Sequence, residues 1–109
     1  MNDAAGPVKA TNAQARFDAR VYPLTVIKKA SYRFLKTFVS DISQDSDEWV
    51  CTLHFQYPTD PADIEQAIRD LKAEVLDQDL RESIARETEQ LRNTILAVAF
   101  SRTGLQSSE

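Results

Sequence analysis

The sequence predicts an α+β fold, a three-stranded and mainly antiparallel sheet (β-α-β-β-α-α) with helices packed on one face. Three observations carry that expectation. Residues 48–57 alternate apolar and polar side chains, the two-residue period of a sheet with one buried face. Two other stretches repeat apolar residues every three or four positions, the period of a helix face. Between two strand-like runs lies Ser43-Gln44-Asp45-Ser46-Asp47, a polar string suited to a hairpin connection.

The first strand is expected at Arg16–Val21, with Phe17, Ala19 and Val21 on one side and Arg16, Asp18 and Arg20 on the other. Tyr22-Pro23 ends it. Pro23 suits the first turn of a helix, where its missing N–H is no loss. Leu24, Ile27, Ala30 or Ser31, and Phe34 then trace a helical face, with Lys28, Lys29 and Arg33 outside it. Thr37–Ile42 forms the second strand, with Phe38 and Ile42 on one face. In the third, Glu48–Tyr57, Trp49, Cys51, Leu53 and Phe55 point one way and Val50, Thr52, His54 and Gln56 the other.

Thr59-Asp60-Pro61 supplies a capping side chain followed by a helix-starting proline. Ile64, Ile68, Leu71 and Val75 trace the first helical face after it. Asp77-Gln78-Asp79 interrupts the phase, and Asp79 with Glu82 resembles a capping box for a second helix carrying Leu80, Ile84, Leu91, Ile95 and Val98. Two helices are expected here, with a single bent one as the alternative. Hairpin and crossover rules favour strand order 1-3-2, with Trp49, Cys51, Leu53, Phe55 and Phe17 in the core. Residues 16–102 are read as one domain, and 1–15 and 103–109 as flexible tails. Residues 1–15 hold no apolar core of secretory-signal length.

Composition narrows the function. The chain has 109 residues, one cysteine (Cys51) and one histidine (His54). An intramolecular disulfide, a cysteine-caged zinc and an iron–sulfur cluster held by this chain alone are therefore excluded. Gly6 and Gly104 are the two glycines, so the patterned region has no phosphate-cradling glycine loop. No run approaches the roughly 18–20 apolar residues of a membrane span. Residues 1–40 carry seven Lys/Arg against two acids, and residues 41–109 six against fifteen. The asymmetry reads either as differing solvated faces or as a dipole that orients a partner. Nucleic acid is not expected, because the basic residues are dispersed and the acidic half repels phosphates. No cofactor is expected, and the chain reads as cytoplasmic.

Few residues offer chemistry. Cys51 shares a strand face with Trp49, Leu53 and Phe55, where a thiol is dry and lacks the cationic neighbour that activates a nucleophile. His54 projects to the polar face and has no triad partner in the local pattern. That face, with Arg16, Asp18, Arg20, Thr52, His54 and Gln56, suits either cross-strand charge pairing or a docked partner. Glu87 and Thr88 fall inside the apolar arc of the last helix, with Arg81 and Arg92 at its margin. A carboxylate there calls for a cationic partner, one of these or Arg20 or Arg33, in a buried or half-buried ion pair, or else it holds a partner chain. Tyr22, Tyr32 and Tyr57 are candidate core-edge closures or interface anchors.

Two segments add a family resemblance: Tyr22-Pro-Leu-Thr-Val-Ile27-Lys-Lys-Ala30-Ser-Tyr32-Arg-Phe34, and Leu80 to Phe100 with Arg81, Ile84, Glu87, Thr88, Arg92 and Ile95. With the hairpin containing Trp49 between them, they resemble HxsD, the small D component of the bacterial His-Xaa-Ser peptide-modification system, over about residues 16–102. The resemblance implies an accessory role beside radical S-adenosylmethionine enzymes and a His-Xaa-Ser repeat precursor, and transfers no catalytic residues. The expected function is a non-catalytic adaptor that binds the precursor, the radical enzyme, or both. The edge beside Tyr22 is the favoured docking strand, and the face around Arg81, Glu87 and Arg92 its competitor. The alternatives are a homo-oligomeric module, such as a homodimer, and a small enzyme using His54 or Glu87.

Overall fold

The computed structural model describes residues 8–103. In chain order it contains β1 (Ala10–Asp18), α1 (Leu24–Tyr32), β2 (Phe38–Asp45), β3 (Glu48–Thr59) and α2 (Pro61–Thr103). The strands form one sheet in the order β1-β3-β2, with both outer strands antiparallel to β3. That is the 1-3-2 order expected from the hairpin and the crossover, in an α+β fold.

Alternation decides which face is covered. Ala15 and Phe17 of β1, Cys51 and Leu53 of β3, and Phe38 of β2 form one buried cluster with Val26, Ile27 and Ala30 of α1 and Ala67, Leu71 and Val75 of α2. Trp49 and Phe55 pack against its edge. Burying a side chain such as Leu71 fully stabilises the fold by about 1.5–3 kcal/mol. The hairpin turns on Ser46 and Asp47, for Asp45 pairs with Glu48, and Ser46 takes a left-handed φ of 57°.

Four sequence expectations need correction. β1 begins at Ala10 and ends at Asp18, so Ala10 and residues 12–15 pair with β3 instead of joining a tail. Ala19 and Val21 lie beyond the strand, and Val21 is exposed. Their alternation continues the strand pattern, but the main chain turns there: the Val21 and Tyr22 amides both donate to the Asp18 carbonyl. Pro23 is the N-cap of α1 rather than a residue of its first turn, and Phe34 lies past the helix end, stacked on Phe38 at 5.4 Å. β2 and β3 run to Asp45 and Thr59, beyond the expected ends at Ile42 and Tyr57. The start of α2 falls where it is expected, with Pro61 as its first residue and the Ile64 amide donating to the Asp60 carbonyl.

The fourth correction concerns α2, which is one helix of 43 residues. No glycine or proline occurs from 62 to 103, and an aspartate costs a helix interior at most about 0.7 kcal/mol. Asp77-Gln78-Asp79 therefore shifts the apolar phase without ending the helix, and Gln78 donates to Glu74 one turn back at 2.9 Å. The chain divides into two compact units, residues 1–78 and 79–109. The first contains the sheet, α1 and the part of α2 that covers the core. In the second, the apolar residues Leu80, Ile84, Leu91, Ile95 and Val98 are all exposed.

Candidate functional site

The residues singled out in sequence fall into three groups. Arg16 lies on the uncovered sheet face and donates to Glu48 at 2.9 Å and to Asp45 at 3.2 Å. These bonds, Glu48 first, hold the guanidinium even further into its charged range. Val50, the register partner of Arg16 on β3, is only 5% exposed although it alternates to this face. Asp18 accepts from the Arg20 side chain at 3.1 and 3.0 Å and from its main-chain N–H at 2.8 Å. The side-chain bonds, then the main-chain one, pull the Asp18 carboxyl below its ordinary range. Charge pairing thus occupies Arg16, Asp18 and Arg20. His54 stands exposed on the same face, opposite Asn12 and Val39.

Tyr22 and Tyr32 part company. Tyr22 is half-buried, edge-on to Phe17 at 6.2 Å, and its carbonyl accepts from the Trp49 indole at 2.8 Å. Tyr32 ends α1 and lines a groove against β2, 73% exposed. Arg81, Glu87 and Arg92 are exposed on the second unit's length of α2. The buried or half-buried ion pair expected at Glu87 is not formed, because the apolar stripe it sits on is itself exposed. Arg33, one of the partners considered, pairs with Glu74 at 3.1 Å.

Cys51 is fully buried, and desolvation pushes its thiol up to about 11, so it is a core residue and not a nucleophile at neutral pH.

The α1–β2 groove went unread in sequence. It is an open hollow of about 350 Å³ lined by Lys28, Ser31, Tyr32, Leu35, Val39, Ser40 and Ile42. Ser31 is 6% exposed, and the hydroxyls of Ser31 and Ser40 are buried without a hydrogen-bond partner among the described residues. An unsatisfied buried hydroxyl costs roughly 1–3 kcal/mol. The signal was present: both serines occupy positions of the apolar pattern, Ser31 after Ile27 and Ala30, and Ser40 between Phe38 and Ile42.

The geometry defines a small α+β domain whose sheet has two open edges and whose last helix carries an exposed apolar stripe. Residues 17–106 match the family model described as His-Xaa-Ser system protein HxsD. The chain belongs to that family and is thereby a component of the His-Xaa-Ser system. Neither the curated proteins nor the solved structures gave a match. No helix among the described residues is long and apolar enough to cross a membrane.

Proposed function

We propose that this chain is a non-catalytic accessory protein of the His-Xaa-Ser system, binding the repeat precursor, the radical S-adenosylmethionine enzyme, or both. The chemistry then belongs to the enzyme. One observation carries this reading: Leu80, Ile84, Leu91 and Ile95, at helical spacing on α2, are 53, 60, 62 and 57% exposed. A row of exposed large apolar side chains on one helix face marks a surface that associates with another chain. The buried free thiol of Cys51 suits a reducing cytoplasm, the compartment we assign.

The test is a pull-down of the system's radical enzyme and its precursor by the tagged chain. Retention of either is expected, as is its loss in the double variant Leu91→Asp, Ile95→Asp with the far-UV spectrum of the folded chain preserved. Failure of the wild-type chain to retain either protein sinks the proposal. A second copy of the chain competes for the same stripe, and sedimentation across a concentration series distinguishes that homodimer. Turnover by the isolated chain that disappears in His54→Ala or Glu87→Gln would establish the enzyme alternative instead.

A further inference from the structure

The groove between α1 and β2 belongs to the first unit, and its lining differs in character from the helical stripe. β2 is an outer strand, hydrogen-bonded to β3 on one side only, so its other side presents a row of unpaired main-chain N–H and C=O groups. Beside that row are two hydroxyls with no partner, Ser31 Oγ and Ser40 Oγ, the first on a residue only 6% exposed. A helical serine ordinarily returns its proton to the carbonyl one turn back, and Ser31 does not. Exposed Tyr32, Leu35 and Val39 rim the hollow. Main-chain edge, unfilled hydroxyls and apolar rim together match an extended peptide, which brings alternating amide groups and side chains along one line.

Charge narrows the occupant. Residues 19–40 contain five Lys/Arg and no acid. Lys28 lines the groove, and Lys36 lines the adjoining hollow with Tyr32 and Leu35. Arg33 is engaged by Glu74, whereas Lys28 and Lys36 are exposed and make no ion pair among the described residues. Asp41 and Asp45 share the face of β2 that carries Val39, opposite the face of Ser40 and Ile42, and Asp45 is held by Arg16. The β1 edge lacks this combination, since its cation Arg16 is already paired.

We propose that an extended, carboxylate-bearing peptide segment of a partner adds to the free edge of β2, over the α1–β2 groove. Its main chain pairs with β2, a side chain enters among Tyr32, Leu35 and Val39, and its acids meet Lys28 and Lys36. This deepens the accessory reading by naming a second surface and the chemistry of its occupant.

Two labelled synthetic peptides test it by fluorescence anisotropy, sharing an alternating valine–threonine core and flanked by glutamates in one and lysines in the other. The glutamate peptide is expected to bind at least about tenfold more tightly. The double variant Lys28→Glu, Lys36→Glu should reverse that preference, and Tyr32→Ala, at an exposed position, should weaken binding about fivefold. N-methylation of alternate amides in the glutamate peptide should abolish binding for one set and spare it for the other, because only one set faces β2. Absent binding, equal binding of the two peptides, or equal effects of the two methylation patterns overturns the proposal. Carrying the lysine double variant into the pull-down separates the two readings. Peptide binding that fails while the radical enzyme or the precursor is still retained condemns the groove alone. A wild-type chain that binds the glutamate peptide but retains neither protein supports the groove and condemns the accessory reading.

Discussion

The indole N–H of Trp49 donates to the main-chain carbonyl of Tyr22 at 2.8 Å. The bond ties the corner between β1 and α1 to the start of β3, residues 27 positions apart in the chain. Tyr22 also sets its ring edge-on to Phe17, at 6.2 Å and 87°, so one residue joins the corner to two strands. Pro23 follows at once as the N-cap of α1, and the bond thereby sets where the helix begins over the sheet.

Trp49→Phe keeps an aromatic ring but removes this donor. The net loss of one such bond is about 1 kcal/mol, and the smaller ring adds lost packing, so destabilisation of about 1–2 kcal/mol is expected. Because Trp49 is the one tryptophan, urea unfolding is followed by far-UV circular dichroism.

Cys51 should resist alkylation by iodoacetamide at pH 8 while the chain is folded, and react promptly in urea. Burial raises the thiol from its ordinary 9.0 to about 11. The folded state therefore holds its proton more tightly than the unfolded state. Stability from this group is fully present below pH 9, falls as pH rises from 9 to about 11, and levels off above. Unfolding curves across that range read the effect, and Cys51→Ala should flatten it.

Ser46 occupies the left-handed region at φ 57° in the β2–β3 turn. A Cβ is disfavoured there, whereas glycine adopts the conformation freely. Ser46→Gly is expected to raise stability by about 0.5–1 kcal/mol, after allowing for the looser unfolded chain. A lower melting temperature contradicts this.

Two leucines of α2 should behave oppositely. Leu71 is fully buried, and Leu71→Ala is expected to cost about 2–5 kcal/mol. Leu91 is 62% exposed, and Leu91→Ala should stay within about 0.5 kcal/mol in denaturant titration while weakening partner retention.

Asp18 should titrate below 3.8, because Arg20 hydrogen-bonds its charged form. The depressed value contributes stability that is present above the ordinary carboxylate pKa and lost as pH falls through the folded one. In Arg20→Ala, proton-monitored NMR titration should find Asp18 shifted upward toward 3.8.

Much of this fold is legible locally. The alternation from Trp49 to Phe55 identifies the central strand and its buried face, and Ser43–Asp47 identifies the hairpin region. The core residues Phe17, Ile27, Phe38, Cys51, Leu53, Leu71 and Val75 all stand at periodic apolar positions. The candidate site was less legible. Arg16, Asp18 and Arg20 stood out as charges on a strand, but which charges pair depends on the β1–β3–β2 register, which brings Asp45 and Glu48 to Arg16. The groove was missed because an orphaned hydroxyl is defined by what surrounds it.

The sequence by itself determined the element types, the strand order and the family, since periodicity, turn chemistry and motif pattern are local or additive along the chain. Only the tertiary structure decided where β1 begins. Ala10, Asn12 and Gln14 have no strong strand preference, and pairing with the long β3 recruits them. It also decided that α2 continues past Asp79, and that Ser31 and Ser40 line one groove beside an open strand edge. Such outcomes depend on contacts between residues distant in sequence, which no local pattern encodes.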